Sequence, residues 1–160
     1  MSMKHLFGFA LLSLLILLGA CASGRVPASD GRALDSIFAL ARQGKIVVDF
    51  DYVTPMQLPP HILTTPYSLM VSNDSLDSQL PYFGEAYRSD YGSTRSPLDF
   101  KMKMKAYDVA RQRDRVMMKM TVYRQSEQFD YLLTIFANGK ASLHVNSNYR
   151  QSINFDGDLR

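Results

Sequence analysis

Alternation of apolar and polar side chains dominates the second half of the chain. In residues 98–106, apolar side chains occupy every second position and alternate with Asp99 and three lysines. A period of two places the two sets on opposite faces of a β-strand. Four further strands are predicted on the same grounds, at residues 116–122, 129–136, 141–146 and 153–155. Between two of these strands, Asn138-Gly139 predicts a tight hairpin turn.

The first half of the chain contains three more segments with strand character. Residues 46–52 alternate and predict a strand whose inward side chains are Ile46, Val48, Phe50 and Tyr52. Four prolines in residues 54–66 predict a loop, because proline cannot donate a ladder hydrogen bond. Strands are expected at residues 67–72 and 75–80, joined by a turn at residues 73–74 and followed by a long loop over residues 81–97.

One helix is expected before the strands, over residues 33–43. Its apolar positions recur at helical spacing, Asp30 is placed to cap its start, and Gly44 is placed to end it. The apolar face comprises Leu34, Ile37, Phe38 and Ala41. The expected fold is mainly β (α+β), in which an antiparallel meander of about eight strands forms a curved sheet or partial barrel with the helix packed on it. Residues 31–160 would form this single domain.

The N-terminal leader has the pattern of an export signal. Lys4 precedes an apolar run at residues 7–18 that is shorter than the roughly 20 residues needed to span a membrane. Residues 18–21 resemble the lipobox of bacterial lipoproteins, and Cys21 is the only cysteine in the chain. An ordinary secretory signal with a coincidental cysteine is the alternative.

The lipobox resemblance implies a removed signal peptide at residues 1–20 and a diacylglycerol on the Cys21 sulfur. Residues 21–30 would then be the acylated cysteine and a flexible spacer. Ala22 follows the cysteine where aspartate would favour inner-membrane retention, so the expected location is the outer membrane, lipid-anchored on its periplasmic face. The mature domain would reach the membrane through this lipid.

Composition and motifs limit the ligands and reactions that can be expected of this chain. The net charge of +3 falls to +2 once Lys4 is removed with the signal, which is too weak to favour nucleic acid. His61 and His144 are not at metal-ligand spacing and no second cysteine exists, so neither a metal site nor a cofactor is expected. No nucleophile motif is present. Asp49 and Asp51, about 7 Å apart by strand rise, leave a glycan-acting hydrolase as an alternative.

Two candidate binding surfaces remain. The loop at residues 81–97 carries Tyr82, Phe83, Tyr87, Arg88 and Tyr91, which could form a sugar- or peptide-binding platform or fold back as a plug over the sheet. The second surface is a set of lysines, which adjacent strands would gather on one face to meet an anionic lipid or acidic partner. These are Lys101, Lys103, Lys105 and Lys119. A solvated face that discourages edge pairing is the alternative for the lysines.

Several segments resemble the family called domain of unknown function 4251. The resemblance lies in residues 80–84 with 86–87, residues 91–92, residues 136–139 and residues 147–153, and it extends roughly over residues 45–159. It implies a small lipoprotein of Gram-negative bacteria and a location in the cell envelope. It carries no known activity, so it assigns no role to any residue.

Three functions are therefore open. The favoured one is a non-enzymatic envelope lipoprotein that acts as a binding or accessory module for a protein, glycan or lipid. A carrier of a small apolar ligand inside a lipocalin-like sheet is the second. Filling of the inner face by Phe100, Met102, Met118 and Ile135 would exclude that carrier. The hydrolase using Asp49 and Asp51 is the third.

Overall fold

A computed structural model describes residues 28–87 and 95–160, which form one nine-stranded antiparallel sheet and one helix. The helix is α1 (Ala28–Arg42). The strands are β1 (Lys45–Pro55), β2 (His61–Ser72), β3 (Ser75–Gln79), β4 (Asp99–Lys103), β5 (Ala106–Arg111), β6 (Arg115–Arg124), β7 (Glu127–Phe136), β8 (Lys140–Ser147) and β9 (Ile153–Leu159).

The sheet consists of two meanders joined through its centre. Its strand order is β4-β3-β2-β1-β9-β8-β7-β6-β5, so the pairing of β1 with β9 connects the two halves. The edge strands β4 and β5 are consecutive in sequence and are separated only by Met104 and Lys105. The Met104 amide donates to Asp74 on one side, and the Lys105 amide donates to Thr121 on the other. The sheet therefore curls into a half-barrel, which confirms the predicted fold class.

The expected single strand over residues 98–106 is wrong. The chain pairs with β3 up to Lys103 and with β6 from Ala106 onward, so it changes partner between the two edges. Met104 is buried at this change, whereas Ala106 is exposed instead of continuing the inward face. The number of strands rises to nine because this run contributes two.

The expected loop over residues 54–66 is also too long. β1 continues to Pro55 and β2 already begins at His61, which leaves only residues 56–60 as the connection. Pro66 lies inside β2, where the pairing with β1 jumps from Tyr67 to Ile62. A proline is tolerated there because the ladder of hydrogen bonds is interrupted.

A β-bulge in β1 explains why Tyr52 does not face the core. The register against β9 steps from Phe50 opposite Gly157 to Tyr52 opposite Asp156, so Asp51 is the extra residue. The bulge shifts the inward face by one position, which buries Val53 completely and leaves Tyr52 38% exposed. The prediction that Tyr52 points inward is therefore wrong.

The core lies on one face of the curled sheet. The inward residues predicted for the strand at residues 116–122 are all buried, with exposures of at most 1%. Aromatic rings add to this core, including Phe50, Phe129 and Phe155. The buried Tyr131 hydroxyl pairs with Ser78, whose own hydroxyl is bonded to the Leu98 carbonyl. Burial raises the pKa of Tyr131, so this phenol remains protonated.

Helix α1 packs against β1, β5 and β6 and so bridges distant parts of the sheet. Leu34, Ile37 and Ala41 are buried as predicted, and Gly44 ends the helix with a φ of 63°. The helix begins five residues earlier than expected, at Ala28, so Asp30 lies in its first turn rather than at its cap. No helix in the described ranges is long and apolar enough to cross a bilayer.

Candidate functional site: an aromatic groove

An open groove of about 690 Å³ lies where β2, the segment after β3 and the start of β4 meet. We call it the aromatic groove, because tyrosine, phenylalanine and proline rings supply much of its lining. Its lining residues are Pro66, Tyr67, Gln79, Leu80, Pro81, Tyr82, Phe83, Arg95, Ser96, Pro97 and Asp99. The groove thus combines apolar rings with an amide, a carboxylate, a hydroxyl and a guanidinium group.

The floor of the groove is anchored in the core. Leu80 and Pro81 are buried, and the Tyr82 hydroxyl lies 3.0 Å from the Gln151 carbonyl and 3.1 Å from the Glu85 carbonyl. Burial raises the pKa of Tyr82, so its hydroxyl is held as a donor. Aromatic rings fixed in this manner form a stable surface for a ligand, since little side-chain freedom remains to be lost on binding.

The segment after the groove is bound to the chain between β8 and β9. The Tyr87 amide donates to the Tyr149 carbonyl at 2.8 Å, and the Gln151 amide donates to the Glu85 carbonyl at 3.2 Å. The Gln151 side chain in turn accepts from the Glu85 amide at 3.3 Å. These contacts join two of the sequence segments that carry the family resemblance. The segment that follows the groove is therefore hydrogen-bonded to the chain that links β8 and β9.

A buried ion pair supports this arrangement, and the sequence analysis did not identify it. Arg150 donates to Glu127 at 2.8 and 3.2 Å, and the two side chains are only 13% and 11% exposed. The Ser147 hydroxyl also donates to Glu127 at 2.5 Å. The Arg150 guanidinium lies 5.7 Å from the centre of the Tyr82 ring. The polar run at residues 147–151 is the signal in the sequence, but nothing there indicates its partner.

Only part of the predicted aromatic loop lines the groove. Tyr82 and Phe83 do, and the Phe83 ring meets the His61 ring edge-on at 4.8 Å. Tyr87 is 66% exposed and lies outside the lining. Arg88 and Tyr91 fall outside the described residues. Tyr67 is a lining residue that the sequence analysis missed, because it was assigned only to a strand.

The four lysines are not gathered by neighbouring strands. β4, which carries Lys101 and Lys103, has β3 as its partner, whereas Lys119 lies on β6. The expected adjacency is wrong because the chain leaves β4 at Met104 before it pairs with β6. Lys101 contacts Asp77 at 3.7 Å, and Lys103 contacts Asp74 at 2.7 Å.

These contacts reduce the basic character of the lysine surface. Lys103 lowers the pKa of Asp74, and Asp74 raises that of Lys103, because each stabilises the charged form of the other. Lys105 is exposed in the link between β4 and β5. Lys119 lines a smaller groove of about 290 Å³ on the polar face of β6, β7 and β8. Acidic groups thus accompany two of the four lysines along the edge of the sheet.

Asp49 and Asp51 do not line either groove. Both carboxylate oxygens of Asp49 accept from Arg160, at 2.8 and 2.5 Å, and Asp51 is exposed in the bulge. A general acid in glycoside hydrolysis acts within a cleft, and neither carboxylate lines one of the two grooves described above.

Protein side chains occupy the inner face on which the carrier hypothesis depends. Met118 and Ile135 are fully buried, and the Phe100 ring packs 5.8 Å from that of Phe129. Phe100 and Met102 retain partial exposure.

His144 is exposed and hydrogen-bonds Asn154 at 2.7 Å. Within residues 28–87 and 95–160, no three His, Cys, Asp or Glu side chains cluster in a way that could hold a metal ion.

Comparison with known proteins places the chain in one family. The sequence profile described as "Domain of unknown function (DUF4251)" matches residues 30–159, which covers the helix from Asp30 onward and all nine strands. The chain belongs to this family, as the resemblance predicted. No curated protein matches the chain. The class defined by fold and family is therefore a curled antiparallel sheet whose function the family does not specify.

Proposed function

We propose that this protein is a non-enzymatic, lipid-anchored envelope lipoprotein and that its domain binds a ligand in the aromatic groove. The observation that carries the proposal is the groove itself, in which Tyr67, Tyr82 and Phe83 stand beside hydrogen-bonding side chains. Concave sites with apolar walls and a few placed polar groups are the usual geometry of ligand binding.

The chemistry of the lining defines the ligand class. Aromatic faces bind apolar or C–H-rich surfaces, while Gln79 and Asp99 offer an amide and a carboxylate for hydrogen bonds. A short glycan or an extended peptide segment presents both kinds of surface at once. The open shape of the groove fits a ligand that lies along it better than one enclosed by it.

The sequence supports the anchor in this proposal. The lipobox-like residues 18–21 end in the only cysteine of the chain, and Ala22 favours the outer membrane. Acylation at Cys21 would keep the domain at the periplasmic face, where glycans and envelope proteins are present. The tether would supply membrane affinity, so the domain is free to present the groove.

The test is purification of the protein from its own membranes, followed by mass spectrometry of the protein and of what accompanies it. We expect a diacylglyceryl mass on the peptide that begins at Cys21 and a bound glycan or peptide. Phe83→Ser should reduce the recovered ligand at least tenfold, because it removes one aromatic wall. Tyr123→Ser is the matched control, since Tyr123 is 47% exposed and lies outside the groove.

Two results would contradict the proposal separately. An unmodified Cys21 peptide would remove the anchor and leave the groove untouched. Equal recovery of ligand with the Phe83 and Tyr123 variants, both shown to be folded by circular dichroism, would remove the groove as the binding site.

A further inference from the structure

The connection between β1 and β2 exposes an unusual amount of aliphatic surface. Met56 is 66% exposed, Leu58 is 51% exposed and Ile62 is 71% exposed. We call residues 56–62 the apolar tip. Tyr52, which pairs with Ile62 across the two strands, extends the same surface at 38% exposure. Exposed apolar side chains that occur together rather than singly mark an interaction surface.

The apolar tip lies in a segment without formal charge. From Tyr52 to Asn73 the chain contains no Asp, Glu, Lys or Arg. The charged positions Asp51 and Asp74 flank this segment at the two ends. Moving a charged side chain into hydrocarbon is costly, and the tip would avoid that cost.

The prolines of the tip also lower the cost of leaving water. Pro59 and Pro60, like Pro55 just before the tip, have no backbone N–H, so they bring no unsatisfied donor into an apolar environment. The Pro59 carbonyl is 3.1 Å from His61 Nδ1, which satisfies one acceptor within the tip when that nitrogen carries a proton. The His61 ring is in turn held against Phe83, so the tip is braced by the wall of the aromatic groove.

We propose that the apolar tip inserts into the interfacial region of a phospholipid bilayer. The exposed side chains of Met56, Leu58 and Ile62 are aliphatic, and residues 56–62 contain no Trp, Tyr or Arg, the residues that dominate protein–protein hot spots. An exposed segment without formal charge suits mobile acyl chains, which adapt to its shape.

The length of chain outside the described residues favours the same occupant. Six residues lie between Cys21 and the start of α1 at Ala28, so the two Cα atoms are at most about 25 Å apart. If Cys21 is acylated as proposed above, the domain stays within this distance of the membrane.

The absence of tryptophan from the chain allows a clean measurement. Leu58→Trp places a single reporter in the tip, and Tyr123→Trp places one at an exposed position on β6. Both are made in the mature chain carrying Cys21→Ser, so the lipid anchor contributes nothing. The probe is a neutral phosphatidylcholine vesicle with or without brominated acyl chains, compared with a vesicle that also contains anionic phosphatidylglycerol.

With Leu58→Trp we expect a blue-shifted emission and quenching by brominated lipid, both unchanged by high salt. Tyr123→Trp should show neither effect. Adding Ile62→Asp to the Leu58→Trp chain should weaken vesicle binding at least tenfold, because it places a charge in the inserted segment. Ile62 is mostly exposed, so this variant retains its fold.

Three results would overturn the proposal. The first is a tip reporter that vesicles do not affect, which would leave a protein as the occupant. The second is equal quenching at both reporter positions. The third is binding that requires anionic lipid and disappears in salt, which would assign membrane contact to the lysines. Because the reporters are read in the Cys21→Ser chain without any groove ligand, these outcomes are distinguishable from a failure of the proposed anchor or of ligand binding in the groove.

Discussion

Glu127 and Arg150 show how a single pair of residues fixes the end of the sheet that carries the groove. Both side chains are largely buried and are joined by two hydrogen bonds, with Ser147 as a third partner. A buried ion pair adds little to stability compared with an apolar pair, but losing one member leaves an uncompensated charge. Since Arg150 also lies over the Tyr82 ring, the pair connects the core to the groove.

We predict that Arg150→Met lowers the free energy of unfolding by about 3 kcal/mol, because Glu127 is left buried without its cation. The double variant Glu127→Gln with Arg150→Met should lose less than the sum of the two single variants, because the uncompensated charge is gone. Urea denaturation followed by circular dichroism measures both values.

Lys140→Met is the control for this pair. The substitution breaks the ion pair between Lys140 and Asp158, whose side chains are 63% and 51% exposed. It should leave the urea midpoint unchanged, because an exposed ion pair adds little to stability. An Arg150→Met midpoint equal to that of the wild type would show that the pair does not hold the sheet end.

For single residues, the sequence predicts which side chains are buried better than it predicts which side chains contact each other. Alternation identified the buried side chains of β6 and β8 correctly, because burial on one face is a local pattern. It could not pair Glu127 with Arg150, which are brought together only when β8 packs beside β7. It also could not show that Asp51 is the extra residue of a bulge, since the bulge depends on the register with β9.

Helix α1 is held to the sheet by polar contacts at both ends as well as by its apolar face. Arg111 on β5 donates to Asp35 at 2.6 Å in the middle of the helix and to the Gly31 carbonyl at 3.4 Å in its first turn. Tyr107, also on β5, donates to the Ala41 carbonyl in the last turn. That carbonyl also accepts from the Gly44 amide at 2.9 Å, so the tyrosine hydroxyl is a second donor at the end of the helix.

We predict that Tyr107→Phe lowers the free energy of unfolding by about 1 kcal/mol, because the Ala41 carbonyl loses one of its two donors. Burial raises the pKa of Tyr107 to about 12. An unfolded tyrosine ionises near pH 10, so its stabilisation is complete below about pH 10 and is lost as the pH rises towards 12. The variant should therefore lose less stability than the wild type between about pH 10 and 12.

Urea midpoints measured across this alkaline range check the prediction, with Tyr123→Phe as the control at an exposed position. The buried Tyr131 contributes the same slope in every variant and cancels in the comparison. Parallel curves for the Tyr107 variant and the wild type would contradict the assignment.

Element type was more predictable than element ends. The helix, the strands and the turns at Gly44 and Gly139 follow from periodicity and from glycines with positive φ. The start of the helix and the start of β2 were missed, because helices and strands extend over weak or proline-containing sequence when tertiary partners are present. The break at Met104 was missed because a change of strand partner leaves the alternation nearly intact.

The whole molecule is a half-barrel. The buried Glu127–Arg150 ion pair, the aromatic groove and the apolar tip all lie at the same end of the sheet. The partial barrel could be predicted from the number of strands and their short connections. The aromatic groove could not, because it joins residues 66–67, 79–83 and 95–99, which are distant in sequence. Only Tyr82 and Phe83 were identified in advance, through the aromatic character of their loop. Residue placement at a sheet end depends on register and curl, and no local pattern specifies either.

The central claim is that the aromatic groove is occupied by a ligand in the envelope of the living cell. The most direct measurement places a photo-crosslinking amino acid at Gln79, in the lining of the groove, and a second at Tyr123 as the control. Irradiation of cells that carry each protein should give a discrete adduct at position 79 and none at position 123. No adduct at Gln79, or the same adduct at both positions, would contradict the claim.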